Sequence, residues 1–176
     1  MQSGVKKVVI FEGVNDIGAA RSGSSETVAR QIIESIQGMV KKAKARKMKV
    51  YLGTITPFKG AGYYTHFHEA ARLYVNDWIR SQAKNVDGIL DFAKLLQDPN
   101  DDRRMKREYA SSDWLHPNPA GYKAMGIYAY SLVVTLLKSI ADCQYAVLLA
   151  QYEVSAAVIL FAYLSVSTWV VAPCLT

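Results

Sequence analysis

Cysteine is scarce: the 176 residues hold two, Cys143 and Cys174, both near the C-terminus. Two cysteines make neither a disulfide framework nor a metal-ligand spacing, so a disulfide miniprotein is excluded. They read as small buried apolar side chains. With five prolines and eleven glycines, the chain is neither collagen-like nor a low-complexity linker. Its first apolar run, Val8–Phe11 behind Lys6 and Lys7, is too short for a signal peptide and reads as a strand. Positive charge is missing from the end: all 21 Lys and Arg lie at or before Lys138, and only Asp142 and Glu153 follow it. A net charge of +6 and a mean hydropathy of +0.03 therefore coexist because the two parts differ. Residues 1–138 form a basic body and 139–176 an apolar tail.

The body alternates strand and helix. Lys7–Phe11 is an apolar run ending at Gly13, the pattern of a strand buried on both faces. Ser24 is a candidate N-cap, with Glu26 in the first turn of a helix whose Val28, Ile32, Ile36, Met39 and Val40 share one face. Lys49–Gly53 reads as a second strand, and Phe67–Lys84 as a helix with Phe67, Ala71, Tyr74, Val75, Trp78 and Ile79 on its apolar side. Val86–Asp91 reads as a third strand, 97–117 as a polar loop, and a last helix runs from about Pro119 to Lys138. Strands alternating with helices predict an α/β fold with a parallel sheet, about three strands of a flavodoxin-like three-layer α/β/α arrangement. Ligands of such sheets bind beyond the carboxyl ends of the strands. That directs attention to Gly13–Asp16, Thr54–Thr65 and Phe92–His116.

Two short motifs in those segments can carry chemistry. Asp113 and His116 stand three apart in a turn before Pro117. A carboxylate at that spacing can fix an imidazole tautomer and stabilise the imidazolium, making a general base. The competing reading is a loop Asp that caps the next turn beside an exposed His. After the first strand, Gly13 permits a sharp turn, Asn15 offers a side-chain amide to a developing oxyanion, and Asp16 can hold the loop through backbone amides. A plain turn built with Gly and Asn accounts for the same residues.

Taken together, VVIFEGVNDIG and SSDWLHPNPAGYKAMG resemble the G-x-N-D and D-x-x-H blocks of the SGNH hydrolase superfamily, the GDSL-type lipases and esterases. KVYLGTITPF and the GYY loop are similar to the segment between them, so the resemblance runs over about Lys6–Lys138. It implies ester hydrolysis through a serine acyl-enzyme without metal or organic cofactor. Asn15 would be an oxyanion donor, His116 the general base, Asp113 its orienting partner, and Gly13 and Asp16 the loop's support. It implies a small-molecule or carbohydrate ester as substrate. The family's G-D-S serine block and its oxyanion glycine block have no counterpart here. Ser3 precedes the first strand, and Ser22, Ser24 and Ser25 read as loop and cap, so no nucleophile is identified. The expectation is the C-terminal portion of such an enzyme, catalytically incomplete, with an unpaired edge on the first strand. The alternative is a non-catalytic, membrane-attached or partner-binding derivative of the scaffold.

His66 and His68 form an H-x-H pair without further ligands at metal spacing, so no metal site is assigned. Tyr63, Tyr64 and Phe67 are candidates for pocket lining or for core. The Lys41–Lys49 cluster sits at a helix C-terminus without interleaved aromatics and is read as a solvated helix end, not a nucleic-acid surface. From Val154 to Thr176 no residue is charged, and 154–173 is long enough for a membrane segment, which takes about 20 residues. A buried helix fits the same composition.

Overall fold

The computed structural model describes residues 5–21 and 23–133. Three strands, β1 (Lys7–Ile10), β2 (Lys49–Gly53) and β3 (Gly88–Leu90), form a parallel sheet in the order β1-β2-β3. The register pairs Val8 with Val50, Val9 with Tyr51, and Leu52 with Ile89. Successive side chains of a strand point to opposite faces, and both faces are apolar here. Val8, Ile10, Val50 and Leu52 pack into one cluster, while Val9, Tyr51 and Leu90 pack into another. That doubly buried pattern is why the strands read as continuous apolar runs.

Helices α1 (Val14–Ala19), α2 (Ser25–Ala45) and α3 (His66–Ser81) cover the first face. Helices α4 (Phe92–Leu96) and α5 (Pro119–Val133) cover the second. The result is the expected three-layer α/β/α sandwich. α5 runs against the strands, because Lys7 Nζ at the start of β1 donates to the Val133 carbonyl at the helix end, 2.6 Å away. Its N-terminus therefore lies at the carboxyl edge of the sheet. Asn118 prepares that N-terminus, with Oδ1 accepting from Gly121 N at 3.0 Å ahead of Pro119.

Four local expectations need correction. Val14, Asn15 and Asp16 lie in the first turn of α1 and not in a loop. The segment read as a polar loop after the third strand contains an antiparallel hairpin, β4 (Gln97–Asp98) and β5 (Asp101–Met105). Its charged sequence hides one fully buried anchor, Met105, on which the pairing closes. Ser24 occupies the N-cap position of α2, but its hydroxyl donates to the Arg21 carbonyl at 2.6 Å and accepts from no helix amide.

The fourth concerns α3, whose buried face is rotated from the one its apolar residues suggest. Phe67 and Tyr74 are exposed, whereas His68, Glu69, Arg72 and Asn76 are buried beside Ala71, Val75 and Ile79. Buried polar groups must be paired, and these are. Arg72 grips Glu69 with two hydrogen bonds of 2.9 and 2.6 Å. Asn76 accepts from Ile55 N at 2.7 Å and donates to Ile55 O at 2.8 Å. The whole stretch 54–58 after β2 is buried, and a buried loop survives only if its backbone finds such partners.

On the outer side of β1 no strand pairs with it among the described residues. No helix among the described residues is long and apolar enough to cross a membrane. The tail 139–176, with the candidate segment 154–173, lies outside the described residues, as do Ser3, Ser22 and the end of the last helix near Lys138.

Candidate active site

Two segments are closed into place at the carboxyl edge of the sheet. The first follows β1. Gly13 adopts φ 114°, a left-handed conformation, and a Cβ there would come within 3.1 Å of both Ile32 and Ile55. Only glycine meets both demands at low cost. The turn launches α1, whose first turn exposes Asn15 and Asp16 to solvent. Before it, Glu12 is half-buried. Desolvation, followed by the charge of Asp16, pushes its carboxyl above the usual range.

The second segment is the turn that holds Asp113 and His116. An antiparallel bridge between Ala110 and Pro117, with Ser111 N donating to His116 O at 3.0 Å, staples its ends. Asn118 ties it to α5, donating through Nδ2 to the carbonyls of Glu108 and Ala110 at 2.9 and 3.2 Å. Within it His116 Nδ1 lies 2.7 Å from Asp113 Oδ2. The other carboxylate oxygen accepts from Leu115 N at 2.9 Å, His116 N at 3.0 Å and the Ser111 hydroxyl. Both side chains remain largely exposed. Desolvation opposes ionisation of Asp113, but the Ser111 hydroxyl, the His116 ring and the two backbone amides outweigh it and hold the carboxyl well below its ordinary range. An ionised carboxylate only accepts hydrogen bonds, so the proton between the pair belongs to Nδ1. Nε2 is thereby left as the proton acceptor. Asp113 also caps its own turn, so the capping role and the dyad geometry hold together.

The buried stretch after β2 joins the two segments. Tyr63 lies so close over α1 that a Cβ on Gly18 would stand 2.2 Å from its ring. Three residues earlier, just past the same end of the buried stretch, Gly60 approaches Trp114, the residue after Asp113, to within 2.9 Å of where its Cβ would be. The Asn15 helix and the dyad turn are thus both indexed to the loop clamped by Asn76. His68 adds a strap, its ring nitrogens facing Tyr63 O at 2.5 Å and Ala20 O at 3.0 Å. That occupies the imidazole with backbone carbonyls. Among the described residues no group of His, Cys, Asp and Glu is arranged to hold a metal. Tyr122 on α5 borders the dyad: desolvation, then the Asp113 charge, raises its phenol above the usual range.

Sequence reasoning placed Asp113 and His116 in one turn and the structure brings them together. Asn15 lies at the same edge, without a side-chain hydrogen bond to the dyad. The positioning residues Asn76, Arg72, Glu69 and His68 were missed. Their signal was present: 68, 72 and 76 recur at helical spacing alongside 71, 75 and 79. A groove between the C-terminal ends of α2 and α3, lined by Lys44, Trp78 and Lys84 among others, lies at the opposite edge of the sheet and contains no acid–base pair.

Three comparisons bear on this geometry. Residues 2–124 match the profile of the GDSL-like lipase/acylhydrolase family. No curated protein sequence matches the chain. Among solved structures, a G-D-S-L-family protein from Desulfitobacterium hafniense is similar at 26% identity and a TM-score of 0.56, over 72% of this chain and 64% of that one. A GDSL-like lipase from Bacteroides thetaiotaomicron shares the fold at 21% identity and a TM-score of 0.58, over 73% of this chain and 62% of that one. The chain thus spans less than two thirds of the length of these structures.

Proposed function

The chain belongs to the GDSL-like lipase/acylhydrolase family, and from that premise we propose that it carries the acid–base residues of a serine ester hydrolase and is catalytically incomplete, with no nucleophilic serine identified among its residues. The observation that carries the reading is the 2.7 Å contact of His116 Nδ1 with Asp113 in a stapled turn at the ligand edge of the sheet. In this proposal His116 Nε2 takes the proton of an attacking serine hydroxyl and returns it to the departing alkoxide. Asp113 orients the ring and stabilises the imidazolium. Asn15, projecting from the first turn of α1, donates to the oxyanion of the tetrahedral intermediate. Gly13 and Asp16 shape the turn that presents it. Water then attacks the acyl carbon while His116 takes its proton; the acyl–serine bond breaks, the proton returns to the serine oxygen and the acid leaves. The substrate is a small-molecule or carbohydrate ester.

Two assays on the purified chain test this. p-Nitrophenyl acetate turnover should stay at background and be unchanged by His116→Ala. A fluorophosphonate probe, which marks activated serines, should label nothing. A labelled serine with turnover lost on His116→Ala would show that the nucleophile is present and overturn the incomplete reading. His116→Ala losing activity while no serine is labelled would overturn the serine mechanism itself.

A further inference from the structure

Beside the dyad stands a second constellation that the hydrolytic chemistry leaves unused. Trp114, which with Leu115 lies between Asp113 and His116, holds a left-handed backbone, φ 57°, a costly conformation for a bulky residue. Two cations hold it from the hairpin side. The guanidinium carbon of Arg104, on β5, lies 4.9 Å from the Trp114 ring centroid, and that of Arg107, just beyond the strand, 5.2 Å. Stacking uses the flat face of a guanidinium and leaves its edge of N–H donors free.

Of the other cations near the hairpin, Lys106 lies over the Tyr109 ring, 5.3 Å from its centroid. Lys59 and Arg103 share Asp101, and Arg80 is paired with Asp91. Among the described residues neither Arg104 nor Arg107 makes an ion pair or donates a hydrogen bond, although Glu108 adjoins Arg107 in sequence. Arg104 Nε is buried without a partner, and an unmet buried donor on a charged group is expensive. Two like charges against one indole also repel. An anion held at the two guanidinium groups would take up their outward N–H donors and offset the repulsion, while Arg104 Nε itself stays buried.

We propose that Arg104 and Arg107, braced on Trp114, form a subsite for an oxyanion carried by the ester substrate, so that the site selects acidic esters over neutral ones. The inference rests on the hydrolase reading for what the anion is attached to. Trp114 is two residues from His116, so an anion at the pair and an ester at the imidazole are within one small molecule's length. Carboxylate and phosphate both match the fork of donors.

The test is equilibrium binding to the full chain, by ligand-observed NMR, of methyl galacturonoside, galactose 6-phosphate and methyl galactoside. They share a sugar and differ in the anion. At low salt at least one anion should bind about tenfold tighter than the neutral sugar, and the stronger of the two identifies the natural group. The advantage should shrink in 0.5 M salt, vanish in Arg104→Gln/Arg107→Gln, and survive in part in the double Lys variant, which controls for misfolding. Equal binding of all three sugars, or a preference that persists in the Gln variant, would overturn the subsite. Neutral p-nitrophenyl acetate and the serine probe do not engage the arginines, so turnover lost on His116→Ala with no serine labelled, beside an intact anion preference, would remove the serine-hydrolase reading and leave the subsite.

Discussion

Adding one methyl group at Gly18 and at Gly38 should have opposite effects on stability. Both glycines lie inside helices, α1 and α2. Replacing a helical glycine by alanine restricts the unfolded chain and favours the helix by about 0.5–1 kcal/mol. At Gly38 nothing lies within 4 Å of the added Cβ, so Gly38→Ala should stabilise by about that amount. At Gly18 the Cβ would fall 2.2, 2.4 and 2.5 Å from three atoms of the Tyr63 ring. The ring must leave, and forced repacking costs about 1–3 kcal/mol. The overlap therefore outweighs the propensity gain, leaving a net loss of about 1–2 kcal/mol. With a urea slope of about 1–2 kcal/mol per molar, the midpoint should fall by about 1 M for Gly18→Ala and rise by about 0.5 M for Gly38→Ala. Tyr63 links α1 to the loop beside Trp114, so Gly18→Ala should also shift the amide resonances of Asn15 and Trp114. Gly38→Ala should leave them in place. A Gly18→Ala variant as stable as wild type would refute the close contact and, with it, the indexing of the Asn15 helix to the dyad turn.

Two further outcomes follow from the buried polar groups. Asn76→Leu removes both bonds to the Ile55 backbone and strands its buried N–H, while the C=O keeps only the 3.4 Å bond from Arg72 Nη1; a loss of about 1–3 kcal/mol is expected in a denaturant titration, and an unchanged stability would contradict the clamp. For pH, desolvation raises the Asp91 carboxyl, but the bonds from Arg80, Thr54 and Lys94 N outweigh it, so its folded pKa lies below the ordinary one. The unfolded chain then binds the proton first. Asp91 thus stabilises the fold fully above about pH 5, and the benefit disappears as pH falls below about 4 through the folded value. Asp91→Asn should flatten that acid limb in urea titrations run between pH 2.5 and 7, and an unchanged slope would count against the Arg80–Asp91 pairing.

What the sequence determines by itself here is local. Val8–Ile10 and Val50–Leu52 are apolar on both faces, which suits strands of a sheet covered by helices on both sides. Ile32, Ile36 and Val40 recur at helical spacing, and burying each such side chain is worth about 1.5–3 kcal/mol, which fixes the inward face of α2. Asp113 and His116 are three residues apart before a proline, so their meeting needs only a turn. These features depend on neighbours in the chain, and local spacing encodes them.

The tertiary structure decided whatever depends on a distant partner. His68, Arg72 and Asn76 look like a solvated stripe until the Ile55 and Ala20 carbonyls arrive to pair with them, and Glu69 is buried against Arg72. The charged DDRRM segment becomes a strand because Gln97–Asp98 pairs with it and its own Met105 is buried. Gly18 and Gly60 look like ordinary flexible residues until Tyr63 and Trp114 pack against them. The polar pattern of a sequence records which residues tolerate water, whereas the burial of a polar group depends on whether a partner from elsewhere replaces that water. The dyad could therefore be read from the chain, while its placement at the same sheet edge as Asn15 and near the arginine pair required the fold.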